Sequence, residues 1–157
     1  MIKEIKAREL NTEKFIDEKV REIQEKVGDG KAINALSGGV DSSTVTMIGH
    51  RALGRQLQTV FVENGIMREG EAAKVAGFFK KLGVKVEVVD ARKEFFAALK
   101  GIADPEKKRE AITQTFYKKV FGRIFKESGA KYLLQGTILT DVDETAAGIK
   151  RQHNVFE

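Results

Sequence analysis

Cysteine is absent from all 157 residues, which excludes disulfides, thiolate metal sites and cysteine nucleophiles. Histidine stands only at His50 and His153, too few for a histidine-rich metal site. No apolar run approaches the roughly 20 residues that cross a bilayer. The opening "MIKEIKAREL" is charged throughout and has no apolar stretch of the kind that marks a secretory signal. The expectation is a soluble, cytoplasmic protein with no membrane partner. A single proline beside 32% charged residues fits a heat-adapted protein.

The charges that are present nearly cancel, 28 basic against 23 acidic residues for a net +5. Such a balance suits an anionic ligand. No basic run interleaved with aromatics argues for nucleic acid, so a solvated charged surface is the expected use of most of these side chains. With 41% hydrophobic residues over this length, the chain can bury one core.

Apolar periodicity alternates between two periods along the chain. Phe15, Ile16, Val20, Ile23 and Val27 form a helical stripe over 12–27, capped by Asn11 or Thr12 and ended by Gly28 and Gly30. "KAINAL" (31–36) reads as a strand, residues 41–53 as a helix closed by Gly54, and "LQTVFVE" (57–63) as a second strand. A helix over 68–83 carries acidic residues early and lysines late, as its dipole prefers. The strand "VKVEVVD" (84–90) and a short helix over 91–100 follow. A long helix opens at Asp104 with Pro105 in first position and runs to Gly129, with Ile112, Phe116, Val120 and Ile124 four residues apart. "KYLLQG" (131–136) is a fourth strand, and "DVDETAAG" (141–148) a short helical turn.

Strands alternating with helices predict an α/β fold, a doubly wound parallel sheet with helices on both faces. Ligands of such sheets sit beyond the carboxyl ends of the strands. That places the loops after residues 36, 62, 90 and 135 along one functional edge.

One of these loops holds "SGGVDSS" (37–43). Gly38 and Gly39 have no side chain to block a ligand and can adopt positive φ. Successive N–H groups then form a concave nest for phosphate oxygens, and the next helix aims its positive end at the same point. Ser37, Ser42 and Ser43 add hydroxyl donors. Asp41 would repel a bare phosphate, so beside a polyphosphate its role is to hold bridging Mg²⁺. No lysine follows Gly39, so this is not a Walker A loop. Two glycines before a Ser/Asp helix cap are also an ordinary turn; the whole string between a strand and a helix is more specific.

The string resembles the PP-loop of the N-type ATP pyrophosphatases, which split ATP between its α and β phosphates. "VFVENGIMREGEA" (60–72), "LKGIADPEKKRE" (99–110) and "LLQGTILTDVDETAA" (133–147) narrow the resemblance to the ATP pyrophosphatase domain of GMP synthetases. "IKRQHNV" (149–155) resembles that family's lid segment.

The resemblance implies adenylylation of xanthosine monophosphate by ATP, then amination by ammonia to GMP. It implies ATP or pyrophosphate binding by Ser37, Gly38, Gly39, Val40, Asp41, Ser42 and Ser43, with Asp41 as the Mg²⁺ ligand. Val62 lines the base, and Gly136 and Thr137 lie near the nucleotide. Asp141 is expected near the metal or substrate, or else as a helix cap. With Asp41 and Lys150 it makes up the expected catalytic set. Lys150 and His153, in the lid-like tail, can reach phosphate or be a solvated terminus. Arg109 can contact substrate phosphate or be a surface charge. Without cysteine the chain cannot release ammonia as a class I glutaminase does, so a separate glutaminase subunit or free ammonia is implied. The same lack speaks against the tRNA-thiolating branch.

Some positions depart from the family pattern. Glu63 stands where aspartate is usual, Thr113 replaces a glycine, and Arg151 and Gln152 replace Ser-His. The family continues past "HNV" into a substrate-binding, dimer-forming domain, so residues 1–157 are expected to be a truncated ATP pyrophosphatase domain. Two alternatives remain, a non-catalytic paralogue that keeps the nucleotide cradle and another PP-loop amidating enzyme such as NAD synthetase.

Overall fold

The computed structural model describes residues 9–137. Its centre is a four-stranded sheet in the order β3-β2-β1-β4, every pair parallel. The strands are β1 (Ala32–Ala35), β2 (Leu57–Glu63), β3 (Val86–Asp90) and β4 (Tyr132–Leu134). β2, with four consecutive buried residues at Thr59–Val62, is the hydrophobic run expected of a strand covered on both faces.

Among the described residues six α-helices pack around this sheet: α1 (Thr12–Val27), α2 (Val40–Leu53), α3 (Glu71–Lys81), α4 (Arg92–Leu99), α5 (Pro105–Gln114) and α6 (Gly122–Ser128). Side chains alternate across the strands, so β1, β2 and β3 each feed cores on both faces. Ile33, Val60 and Val62 meet Phe95 of α4 and Ile124 of α6 on one face. On the other, Leu36 and Phe61 meet Ala72 and Phe79 of α3, and Ala32 and Leu57 meet Val27 of α1 and Leu53 of α2. The fold is the doubly wound α/β arrangement that the periodicity predicts.

Local signals act where expected. The Asn11 side chain accepts from the Lys14 amide at 3.0 Å to cap α1, and Asp104 accepts from the Lys107 amide at 2.8 Å to cap α5. α3 starts three residues later than the pattern suggests, because Arg68 donates its amide to the Glu71 carboxylate at 3.1 Å and forms a turn first. β4 is shorter than 131–136 because it pairs only with Ala32–Asn34 of β1. The long helix runs from Pro105 to Ser128, but Thr115–Phe121 is π-helical. The turn "DVDETAAG" lies outside the described residues. Among the described residues no helix is long and apolar enough to cross a membrane.

Candidate functional site

Chain order places β1, β2 and β3 in succession to one side, and β4 then returns to β1's other flank. The crevice between the carboxyl ends of β1 and β4 is therefore the topological switch point, the usual ligand position in such sheets. A cleft of about 470 Å³ opens there.

The β1–α2 loop forms one wall. Gly38 has φ +83°, and Gly39, in extended conformation, is the N-cap of α2 with no side chain to bond the helix. α1 and α5 have such caps; α2 does not. Among the described residues the amides of Gly38, Val40, Asp41 and Ser42 meet no protein acceptor, and the first helical bond runs from the Ser43 amide to the Gly39 carbonyl at 3.0 Å. These N–H groups, at the positive end of a 14-residue helix, are suited to anionic oxygens.

Hydroxyls hold the loop in this shape. Ser42 Oγ accepts from the Ser37 amide at 3.2 Å, donates to the Gly39 carbonyl at 3.2 Å and lies 2.8 Å from Ser37 Oγ. The Gly39 amide makes a long bond of 3.4 Å to Ser37 Oγ. Ser37, Gly39, Asp41 and Ser42 line the cleft. Val40, at 81% exposed, projects into solvent, so its contribution is its backbone. Gly38 and Ser43 are not among the residues that line it.

Across the crevice the end of β4 comes close to α2. A Cβ at Gly136 would lie 3.1 Å from the Asp41 carbonyl carbon and oxygen, tighter than most Cβ contacts, so that backbone would have to give by a few tenths of an ångström. Gly136 lines the cleft together with Gln135, whereas Thr137 lines a neighbouring groove of about 620 Å³ between α1, α2 and β4, on which Asp41 also borders.

The opposite wall is apolar. Val62, from the end of β2, lines the cleft with Phe95, Ile112, Phe116, Tyr117 and Phe121. Phe116 stacks on Phe121 with centroids 5.6 Å apart and meets Tyr117 edge-on at 4.9 Å. Burial pushes the Tyr117 phenol above its ordinary pKa. The π turn builds this wall: the Gly122 amide donates to the Tyr117 carbonyl, five residues back. That widening moves Phe116 and Tyr117 off the stripe of a regular helix, and such turns frequently occur at functional sites. Sequence reasoning placed Phe116 only in the helical stripe with Ile112, Val120 and Ile124, and did not single out Tyr117. The signal available was Gly122, in mid-helix beside a dense aromatic run.

Arg109 stands apart. It lies on an exposed turn of α5, paired with Glu106 at 2.9 Å, and is not among the residues that line the cleft. Asp141, Lys150 and His153 lie outside the described residues. At the end of β3, Asp90 takes bonds from the Arg92 guanidinium at 2.9 and 2.6 Å and from its amide at 3.1 Å. These bonds hold the Asp90 carboxyl down to about 2. That loop stays local, and α4 reaches the cleft through Phe95.

Mg²⁺ with ATP prefers one or two carboxylates plus phosphate oxygens to a protein cage. Asp41, exposed at the rim of the nest, fits that pattern, and no group of three or more acidic, cysteine or histidine side chains gathers elsewhere among the described residues.

The family model for NAD synthase matches residues 10–121. The chain belongs to the NAD synthase family. That match covers the loop and the aromatic wall and ends before the segments at 133–147 and 149–155 that suggested GMP synthetases. The chain is also 50% identical over 146 residues to a subunit of the glutamine-hydrolyzing GMP synthase of Archaeoglobus fulgidus, covering 93% of this chain. It is 53% identical over 144 residues to the corresponding subunit of Pyrococcus furiosus, covering 91% of this chain. It spans 47% and 46% of those relatives, about half their length. The resemblance to the ATP pyrophosphatase part of GMP synthetases is thus borne out.

Solved structures agree on the fold. The NH3-dependent NAD synthetase of Campylobacter jejuni, in complex with nitrate, superposes with a TM-score of 0.69 at 15% identity over 92% of this chain and 63% of its own. The glutamine-dependent NAD+ synthetase of Acinetobacter baumannii, in complex with ADP, gives 0.70 at 17% identity over 98% of this chain and 30% of its own.

Proposed function

We propose that this chain is the ATP pyrophosphatase part of a GMP synthetase. The observation that carries the reading is the row of amides at Gly38, Val40, Asp41 and Ser42 that meet no acceptor among the described residues, in a loop whose Ser37, Gly39, Asp41 and Ser42 line a cleft at the switch point, in a chain half identical to subunits of GMP synthases. NAD synthetases share the fold at far lower identity, which favours the GMP reading over amidation of an NAD precursor.

In this reading the β and γ phosphates of ATP lie on the loop amides, with Ser37, Ser42 and Ser43 as hydroxyl donors. Adenosine lies toward Val62 and the aromatic wall, with Gly136 and Thr137 at the far rim. The 2-carbonyl oxygen of xanthosine monophosphate attacks the α-phosphorus. The bond to the bridging oxygen breaks, and pyrophosphate carries the electron pair away. Ammonia then attacks C2 and expels AMP, leaving GMP. Charge builds on the departing pyrophosphate, and donors already aimed at that position stabilise it without reorganisation. Mg²⁺ held by Asp41 would supply further charge neutralisation there when bound.

Asp141, Lys150 and His153 keep the roles that the motifs imply, in the reaction and at substrate phosphate. Arg109, paired with Glu106 away from the cleft, has the weakest support as a substrate contact. These 157 residues hold no cysteine for a glutaminase nucleophile, so in this reading ammonia is supplied from outside them, by a glutaminase subunit or from solution. The relatives are named as subunits of glutamine-hydrolysing enzymes, which supports the former. We place the activity in the cytoplasm.

The test is pyrophosphate release from magnesium ATP with xanthosine monophosphate and ammonium present. Release that needs all three supports the reading. ATP binding without release would reduce the chain to a nucleotide-binding module, and failure to bind ATP would refute the cradle itself.

A further inference from the structure

We propose that Asn34, Thr46 and Thr59 are positioning residues that set the phosphate loop from behind through one directed chain of hydrogen bonds. The inference rests on the phosphate-loop reading above and extends it into the core.

Asn34 lies in the middle of β1 and is 1% exposed; Thr46 of α2 is 0% and Thr59 of β2 is 3% exposed. A polar group buried this deeply is costly unless every strong donor and acceptor is engaged. Here one Asn34 N–H, its amide oxygen and both threonine hydroxyls find partners along a single chain. Thr59 Oγ1 donates to Asn34 Oδ1 at 2.8 Å, Asn34 Nδ2 donates to Thr46 Oγ1 at 2.6 Å, and Thr46 Oγ1 donates to the Ser42 carbonyl at 2.7 Å.

The direction of the chain follows from proton counting. A carbonyl oxygen has no proton, so Thr46 must spend its only hydroxyl proton on Ser42. Thr46 Oγ1 can then only accept from its other neighbour, which must be the amide nitrogen of Asn34. The amide oxygen therefore faces Thr59, and Thr59 donates to it. With the Thr46 proton on Ser42, this is the orientation of the Asn34 amide in which each of the three contacts pairs a donor with an acceptor, so the network favours one geometry.

That geometry spans the loop. Asn34 is on the strand that enters the turn, and Thr46 is one helical turn beyond Ser42 in the helix that leaves it. The Asn34–Thr46 bond thus clamps the two ends of the Ser37–Ser42 bend. Its last member grips Ser42, whose own hydroxyl ties the front of the loop to Ser37 and Gly39. Ser42 is held at the back by the core and at the front by the loop. The amides of Gly38, Val40 and Asp41 lie between these two points, so their direction depends on how far α2 sits along β1. Donors preset in this way cost least to use when charge arrives.

The experiment measures affinity for ATP in magnesium chloride by calorimetry, well below the melting point, on the chain and four variants. Thr46→Val keeps the shape but removes the link, and affinity is expected to fall about tenfold, the scale of one charge-linked hydrogen bond. Thr46→Ser restores the hydroxyl and is expected to recover affinity to within about twofold. Val84→Ala, buried at the foot of β3, is the stability control. It is expected to lower the melting point while binding ATP as the parent does. Should Thr46→Val not fold, Thr59→Val, one bond further back, is read instead, with an expected loss of about threefold. Unchanged affinity in the Thr46→Val chain, or in Thr59→Val where that is the variant read, overturns the inference and leaves the phosphate-loop reading intact. So does a loss that simply follows melting point across Thr46→Val and Val84→Ala. Failure of the parent chain to bind ATP overturns both.

Discussion

The cleft has two walls built by different means. The β1–α2 wall is made of backbone: amides without acceptors among the described residues, a glycine at φ +83° and serine hydroxyls that bond one another. The α4–α6 wall is made of side chains: Phe95 and Phe121 buried in the larger core, with Phe116 stacked on Phe121. The first stores its capacity as unmade hydrogen bonds, the second as buried apolar area. The same cleft should therefore fail in two distinguishable ways, through affinity on one side and through stability on the other.

The largest expected effect is on the apolar wall. Phe121→Ala removes a ring that is 5% exposed and leaves a cavity, at a cost of about 3–5 kcal/mol, read as a lowered midpoint in urea. A change below about 1 kcal/mol would mean that the wall is not part of the core. On the polar wall, Gly38→Ala forces a side chain into positive φ, a strain of about 1–2 kcal/mol, and brings a Cβ within 3.0 Å of Val75 Cγ2. Its smaller stability loss should come with the greater loss of ATP affinity. If Gly38→Ala binds ATP like the parent, the contrast between the walls collapses.

These walls also differ in how far they could be read from sequence. Gly38, Gly39 and the flanking serines were legible because backbone at positive φ and a ligand-facing turn admit few residue types, and all of them are neighbours in the chain. The alternating periods likewise gave β1 to β4, the parallel sheet and helices on both faces, because core-facing positions repeat locally. Phe116 and Tyr117 were not legible as cleft residues, since four-residue spacing looks the same whether the stripe meets a sheet or a cavity, and the π turn shifts it. The Asn34 network escaped for another reason. Its members are 12 and 25 positions apart, and only the fold joins them. Arg109 stayed open between two readings because a basic residue in a motif looks the same whether it meets phosphate or a neighbouring Glu106.

The smallest expected effect lies outside both walls, at Asp90. Bonds from Arg92 hold its carboxyl near 2, below the ordinary 3.8. A carboxyl lowered on folding adds stability that is complete above its unfolded pKa and lost as pH falls through the folded one. Asp90→Asn should therefore differ slightly in melting point from the parent above about pH 4, with the difference shrinking as pH falls toward about 2 and vanishing below it. Because the pair is exposed, added salt should shrink the difference. A gap that does not shrink between about pH 4 and pH 2 would point to a cause other than ionisation.

The central claim is that the amides opening α2 receive the phosphates of a nucleotide. Amide proton and nitrogen shifts, followed by NMR during titration with magnesium ATP, test it most directly. The account predicts that the Gly38, Val40 and Asp41 amide protons move downfield together and saturate with a single affinity, and that pyrophosphate reproduces the change. Shifts confined to other residues, with these amides unmoved at saturating ATP, would contradict it.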